Sequence, residues 1–188
     1  MQDHGWVLEA FPSTLRAEAA AVSRRLPLFT SASPEAGVVT VAGEPLRIPY
    51  RLYSRGIRPD PSRDTPVEQR MLHCLGTRHH DGHTRERHLR AVVRDLSPWV
   101  VPYVVALVGE YVVEIVQVVE QSLTELTVAG SAQQRAYGSY LAPNPRVLQV
   151  TRSRVVSYWD SSHRSSWPTL AEYPGQRLAK ALQVAAQA

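Results

Sequence analysis

From Trp99 to Val119 apolar residues arrive in pairs: Val100/Val101, Val104/Val105, Leu107/Val108, Val112/Val113, Ile115/Val116 and Val118/Val119. Their mean spacing is close to the helical period and not to two. Valine is a weak helix former, yet two alternating strands would scatter the pairs onto both faces. The pattern therefore predicts one helix, bent around Pro102 or Gly109, and apolar on most of its surface. Such a helix is expected at the centre of its domain. Within it, Glu110 and Glu114 are four apart, which would put both carboxylates on one face.

The rest of the chain reads mostly as shorter helices. Residues 13–26 (STLRAEAAAVSRRL) are rich in helix formers, with Ser13 as N-cap and Pro27 as terminator. A turn cluster, TSASPEAG, follows. Two β-rich runs in residues 38–53 flank Ala42-Gly43-Glu44-Pro45 and predict a hairpin, with Pro45 and Pro49 holding the second run at an edge or breaking it. Residues 54–64 form a proline-punctuated loop. Thr65-Pro66-Val67-Glu68 is a capping box with proline at the first helical position, opening a helix to about Thr77. A second helix is predicted from about His83 to Leu96, and Ser97-Pro98 opens a third. Asn144-Pro145 caps another helix, with Leu148, Thr151, Val155 and Trp159 on one face. Alternation in V-Q-V and R-V-V-S-Y-W leaves residues 146–159 open between helix and strand. Residues 175–188 predict a terminal helix that frays.

The expected fold is mostly α (α+β), a multi-helix bundle of antiparallel helical pairs with a small N-terminal β-hairpin. A single domain is expected over 1–188, with a helix, hairpin and loop in 1–64 and a helical core in 65–188. The succession of helices resembles HEAT-type solenoids in pattern, although no repeat consensus is met.

Composition narrows the function classes. One cysteine, Cys74, excludes an intramolecular disulfide and every multi-cysteine zinc or iron–sulfur motif. At the N-terminus no basic and apolar leader is read, and the valine stretch is too short and too charged to span a bilayer, so the expected compartment is the cytoplasm. The formal charge of +4 permits an acidic or nucleic-acid partner without requiring one. No nucleophile elbow, glycine-rich phosphate loop or dinucleotide fingerprint occurs. Cys74, beside Leu72 and Leu75, reads as a buried, inert thiol.

Three groups of residues can carry chemistry. Five of seven histidines, His73, His79, His80, His83 and His88, fall within sixteen positions, together with Cys74, Asp81, Arg78, Arg85 and Arg87. His79 or His80, His83, Asp81 and Cys74 offer imidazole, carboxylate and thiolate donors for a metal. The same stretch also reads as a polar interhelical loop, or as an anion site clamped by Arg78, Arg85 and Arg87. Glu110 and Glu114 suit ligation or acid–base work if they meet the histidines, and a structural ion pair otherwise. Lastly, Arg152, Arg154, Tyr158, Trp159 and Arg164 interleave guanidiniums with aromatics, with Asp160 and His163 among them. Helical spacing pairs Arg154 with Tyr158, Trp159 with His163 and Asp160 with Arg164. Such residues form protein-interface hot spots or stack on nucleic-acid bases.

The leading expectation is a non-enzymatic accessory protein that binds a protein partner through an Arg/aromatic surface, without a cofactor. Two alternatives stand beside it. One is a nucleic-acid-binding accessory protein. The other is a small enzyme using a divalent metal at His79, His80, Asp81, His83, Glu110 and Glu114. A homo-oligomer is compatible with each.

Overall fold

A computed structural model describes residues 4–27, 30–33 and 36–188, the side chain of Ala36 excepted. The centre of the turn cluster predicted at 30–37, residues 34 and 35, lies outside the described residues. The fold is mostly α with a small antiparallel β component, as expected. Its contacts divide the chain after Val92 into two compact units, 1–92 and 93–188.

The first unit begins with a short helix, α1 (Trp6–Glu9), and a 3-10 turn at Ser13–Leu15. Helix α2 (Arg16–Arg25) follows. Ser13 is not its N-cap; its main-chain N–H donates instead to the Glu44 carboxylate at 2.9 Å. Strands β2 (Ala36–Val41) and β3 (Glu44–Pro49) form the expected hairpin. Val39 faces Leu46 and Gly37 faces Ile48. Period-two geometry puts Val39, Val41, Leu46 and Ile48 on one buried face, while Val38 stays exposed on the other. The turn is the two-residue Ala42-Gly43, both at positive φ (50° and 84°), the hand that matches strand twist. A second antiparallel pair joins β1 (Ser31–Ala32) to β4 (Leu52–Tyr53).

Helix α3 (Pro66–Gly76) carries the predicted capping box: Thr65 Oγ1 accepts from the Glu68 N–H, and Glu68 Oε2 accepts from the Thr65 N–H at 2.8 Å. Helix α4 (Gly82–Val92) stops four residues short of the predicted Leu96. It packs on α3, and α2 packs on α3. Gly76 makes the α3–α4 approach: a Cβ there would stand 2.2 Å from the His88 ring.

In the second unit the valine stretch is not one helix. It forms α5 (Val101–Val105) and α6 (Val113–Ser122), with turn and linker at 106–112. Low helix propensity in the valine pairs and Gly109 explain the break. Pro102 sits in the first turn of α5, where a missing N–H costs no bond. Helix α7 (Ala132–Leu141) lies in a stretch for which no element was predicted; Ser131 Oγ caps it by accepting from the Gln134 N–H at 3.0 Å.

Helix α8 (Pro145–Tyr158) resolves residues 146–158 as helix, and its last turn runs on into a π-helical turn at 159–163. Asn144 does not cap α8 with its side chain; its Nδ2 donates to the Tyr140 carbonyl at 2.7 Å. After a 3-10 turn at Leu170–Glu172 comes α9 (Pro174–Ala186). Rather than fraying, α9 touches α6, α7 and α8, and buries Leu178, Ala179, Leu182 and Ala185 along one stripe. The valine pairs are buried as expected, apart from Val112 and Val113, and α9 shares the core with them. Gly138 lets α7 approach it: a Cβ there would lie 2.3 Å from the Ala185 carbonyl oxygen.

Candidate binding surface

Arg78, His79, Arg85 and His88 of the histidine–arginine segment are built into the first unit's interior, while His80, His83 and Arg87 are exposed. Arg78 is 2% exposed and donates through Nε to the Pro49 carbonyl (3.1 Å) and through a terminal nitrogen to the Tyr50 carbonyl (2.6 Å). Arg85 is fully buried and donates from one terminal nitrogen to the His79 and His80 carbonyls, 2.9 Å each. These guanidiniums saturate main-chain acceptors that burial would otherwise leave unbonded. The expected anion clamp of Arg78, Arg85 and Arg87 is therefore corrected: only Arg87 is exposed.

The imidazoles have separate tasks. His79 is buried, and its Nδ1 accepts the Asp81 N–H at 3.0 Å. That fixes the proton on Nε2, which donates to the Ser54 carbonyl at 3.0 Å. Burial lowers its pKa. Exposed His80 lies between the rings of His79 and Tyr53, 4.2 and 5.6 Å between centroids. Asp81 is the N-cap of α4, its Oδ1 accepting from the Thr84 N–H at 2.8 Å. His83 is exposed.

Glu110 is buried in the linker before α6, and Glu114 is exposed in the first turn of α6. They do not share a helical face, because the valine stretch is broken between them. Among the described residues no three of His, Cys, Asp and Glu are grouped to hold a metal ion. A pairing unseen in the sequence joins His73 to His88, Nδ1 to Nδ1 at 3.0 Å. One nitrogen donates and the other accepts, so one proton lies in this bond and the accepting ring carries its own on Nε2. Burial first, then the neighbouring charges of His73 and Arg87, pushes His88 down to about 4.

The Arg/aromatic group lies in the second unit and gathers more aromatics than predicted. Asp160 and Arg164 form the expected ion pair at 2.7 Å. Trp159 and His163 part company, because residues 159–163 are π-helical and neighbours fall five apart. Arg164 instead stacks over the Trp159 ring at 4.7 Å. Trp159 Nε1 donates to the Trp167 carbonyl at 2.9 Å. His163 stacks on Tyr173 at 5.4 Å, meets Trp167 edge-on, and hydrogen-bonds the Tyr111 carbonyl at 3.1 Å. Tyr111, which is 51% exposed, meets Tyr158 edge-on. Sequence reasoning missed Tyr111, Trp167 and Tyr173; all three come from other elements, and no local spacing links them to α8. Burial pushes the Tyr173 phenol up to about 12, so it stays protonated.

Helix α8 also exposes Val150 and Val156. Arg152 donates to Gln183 Oε1 at 2.8 Å across a shallow groove of about 350 Å³ between α8 and α9. Arg154 is half-buried. Over 145–164 four arginines face one aspartate. The surface thus offers aromatic rings, guanidiniums and small apolar patches, a combination able to bind. No protein-family model, curated protein or solved structure matches the chain. Among the described residues no helix is long and apolar enough to cross a membrane.

Proposed function

We propose that the protein is a non-enzymatic accessory protein of the cytoplasm, and that it binds a protein partner through the α8 surface. The observation that carries this reading is the Trp159–Arg164 stack. Trp159 is held before any partner arrives by the Trp167 carbonyl, and Arg164 lies over its ring while pairing with Asp160 at the surface. Side chains ordered in advance lose less entropy on binding, and Trp, Tyr and Arg are the residue types that dominate interface energetics. The surplus of arginine favours a partner segment that is acidic, and Val150 and Val156 favour one that also carries apolar side chains.

The test is co-purification from the native host with and without nuclease, compared across Trp159→Ala, Arg164→Ala and Arg87→Ala. A protein retained by wild type and Arg87→Ala, indifferent to nuclease and lost from both α8 variants, is the expected result. Retention by Trp159→Ala sinks the proposal. Release by nuclease transfers the surface to nucleic acid.

A further inference from the structure

The first unit holds a cleft of about 400 Å³ between the end of α2 and the loop leading into α3. Four arginines line it, Arg24, Arg25, Arg58 and Arg63, against two aspartates, Asp60 and Asp64. The aspartates are already committed. Asp64 accepts from Arg25 and, at 2.6 Å, from the Asp60 N–H. Asp60 Oδ1 accepts the Ser62 N–H and hydroxyl at 3.0 and 2.7 Å, and Arg63 helps to hold its carboxyl below the ordinary value. Arg25 is committed too, to Asp64 and Glu68.

Among the described residues Arg24, Arg58 and Arg63 make no ion pair, and all three are exposed. The loop that presents Arg63 closes on itself: the N–H groups of Arg63 and Asp64 both donate to the Asp60 carbonyl. Three guanidiniums around one concavity, Arg24 on the last turn of α2 and Arg63 on a hydrogen-bonded loop, suit with Arg58 a doubly charged oxyanion that accepts several N–H bonds at once. The cleft also has an apolar wall of Leu26, Ile57 and Leu72. Its volume is that of a small-molecule site rather than of a protein interface.

We propose that this cleft binds a phosphate-bearing small molecule, with Arg24, Arg58 and Arg63 on the phosphate and Leu26, Ile57 and Leu72 against an apolar body. The site lies in the other unit from the α8 surface, so either reading can fail alone. Phenyl phosphate serves as the probe, titrated calorimetrically into the full chain, with sulfate at matched ionic strength. The expected result is one saturable site per chain that prefers phenyl phosphate to sulfate. Each lost charge-assisted bond should weaken it about tenfold or more in Arg58→Gln and in Arg63→Gln, with Arg87→Gln unchanged. These side chains are exposed, and circular dichroism checks that the variants stay folded. Equal affinity for sulfate, unchanged binding by Arg58→Gln and Arg63→Gln, or no binding at all overturns the proposal.

Discussion

The interior of the first unit holds the imidazoles of His4, His79 and His88 and the guanidiniums of Arg78 and Arg85. In the second unit the described interior holds none of these; its buried polar residues are Glu110, Gln134, Asn144 and Thr151, set among valine, leucine and tyrosine. Both units are compact, but they are held by different physics. The first uses side-chain donors to satisfy main chain where regular structure stops, at Pro49–Tyr50 where β3 ends and at His79–His80 between α3 and α4. The second satisfies most of its main chain within helices and relies on close approach between them. Polar groups in the first unit make its stability depend on geometry and on protonation. The second should respond to volume and hardly to acid.

Four experiments break or sharpen this contrast, each read by amide hydrogen exchange resolved over 1–92 and 93–188. The largest effect is expected from Arg85→Met. It strips the buried His79 carbonyl of its donor, at about 1–3 kcal/mol, and the half-buried His80 carbonyl as well, so protection should collapse in the first unit and hold in the second. Next is acid. The folded His88 stays neutral down to about 4 while the unfolded side chain titrates near 6.5. Between those values the unfolded state binds more protons, so stability falls as pH drops through this window and the loss is complete below it. The shift corresponds to about 3 kcal/mol. Glu68 acts in the same direction at lower pH. The Thr65 N–H and Arg25 hold its carboxyl below the ordinary value, and the stability this gives is lost as pH falls through the folded pKa. A second unit that loses protection in parallel with the first between pH 6.5 and 4 would refute the contrast.

Gly138→Ala is the complementary break. A methyl group 2.3 Å from the Ala185 carbonyl must push α7 from α9, at a cost of about 2–3 kcal/mol confined to the second unit. The smallest effect is a gain. Ala42 holds φ 50° in the hairpin turn, and Ala42→Gly should stabilise the first unit by about 0.5 kcal/mol, the relief of that backbone outweighing glycine's added chain entropy.

Local chemistry in the sequence was legible where it acts over one turn. Thr65 and Glu68 are three residues apart and close their box without help. Ala42-Gly43 turns the chain by its own dihedrals, and Asp160 finds Arg164 one turn on. What failed to show depends on partners far along the chain. Arg78 looks like a surface guanidinium until the carbonyls of Pro49 and Tyr50 are brought to it. His73 and His88 belong to different helices, and their pairing needs the approach that Gly76 permits. The valine pairs have a helical period, but period alone does not say where one helix ends. At Trp159 a single π-helical turn moved the neighbour from position four to position five. The Arg/aromatic surface was visible as composition, while its geometry and the shares of Tyr111, Trp167 and Tyr173 were not. The cleft between α2 and the loop before α3 left no motif, because its arginines are spread over forty positions.

Cys74, the sole cysteine, is 0% exposed on α3, one residue from His73. No thiol exists beyond Val92. A thiol reagent can reach this sulfur only when the first unit opens, so at low reagent concentration the modification rate counts openings against closings. The chain thus carries its own clock for the first unit.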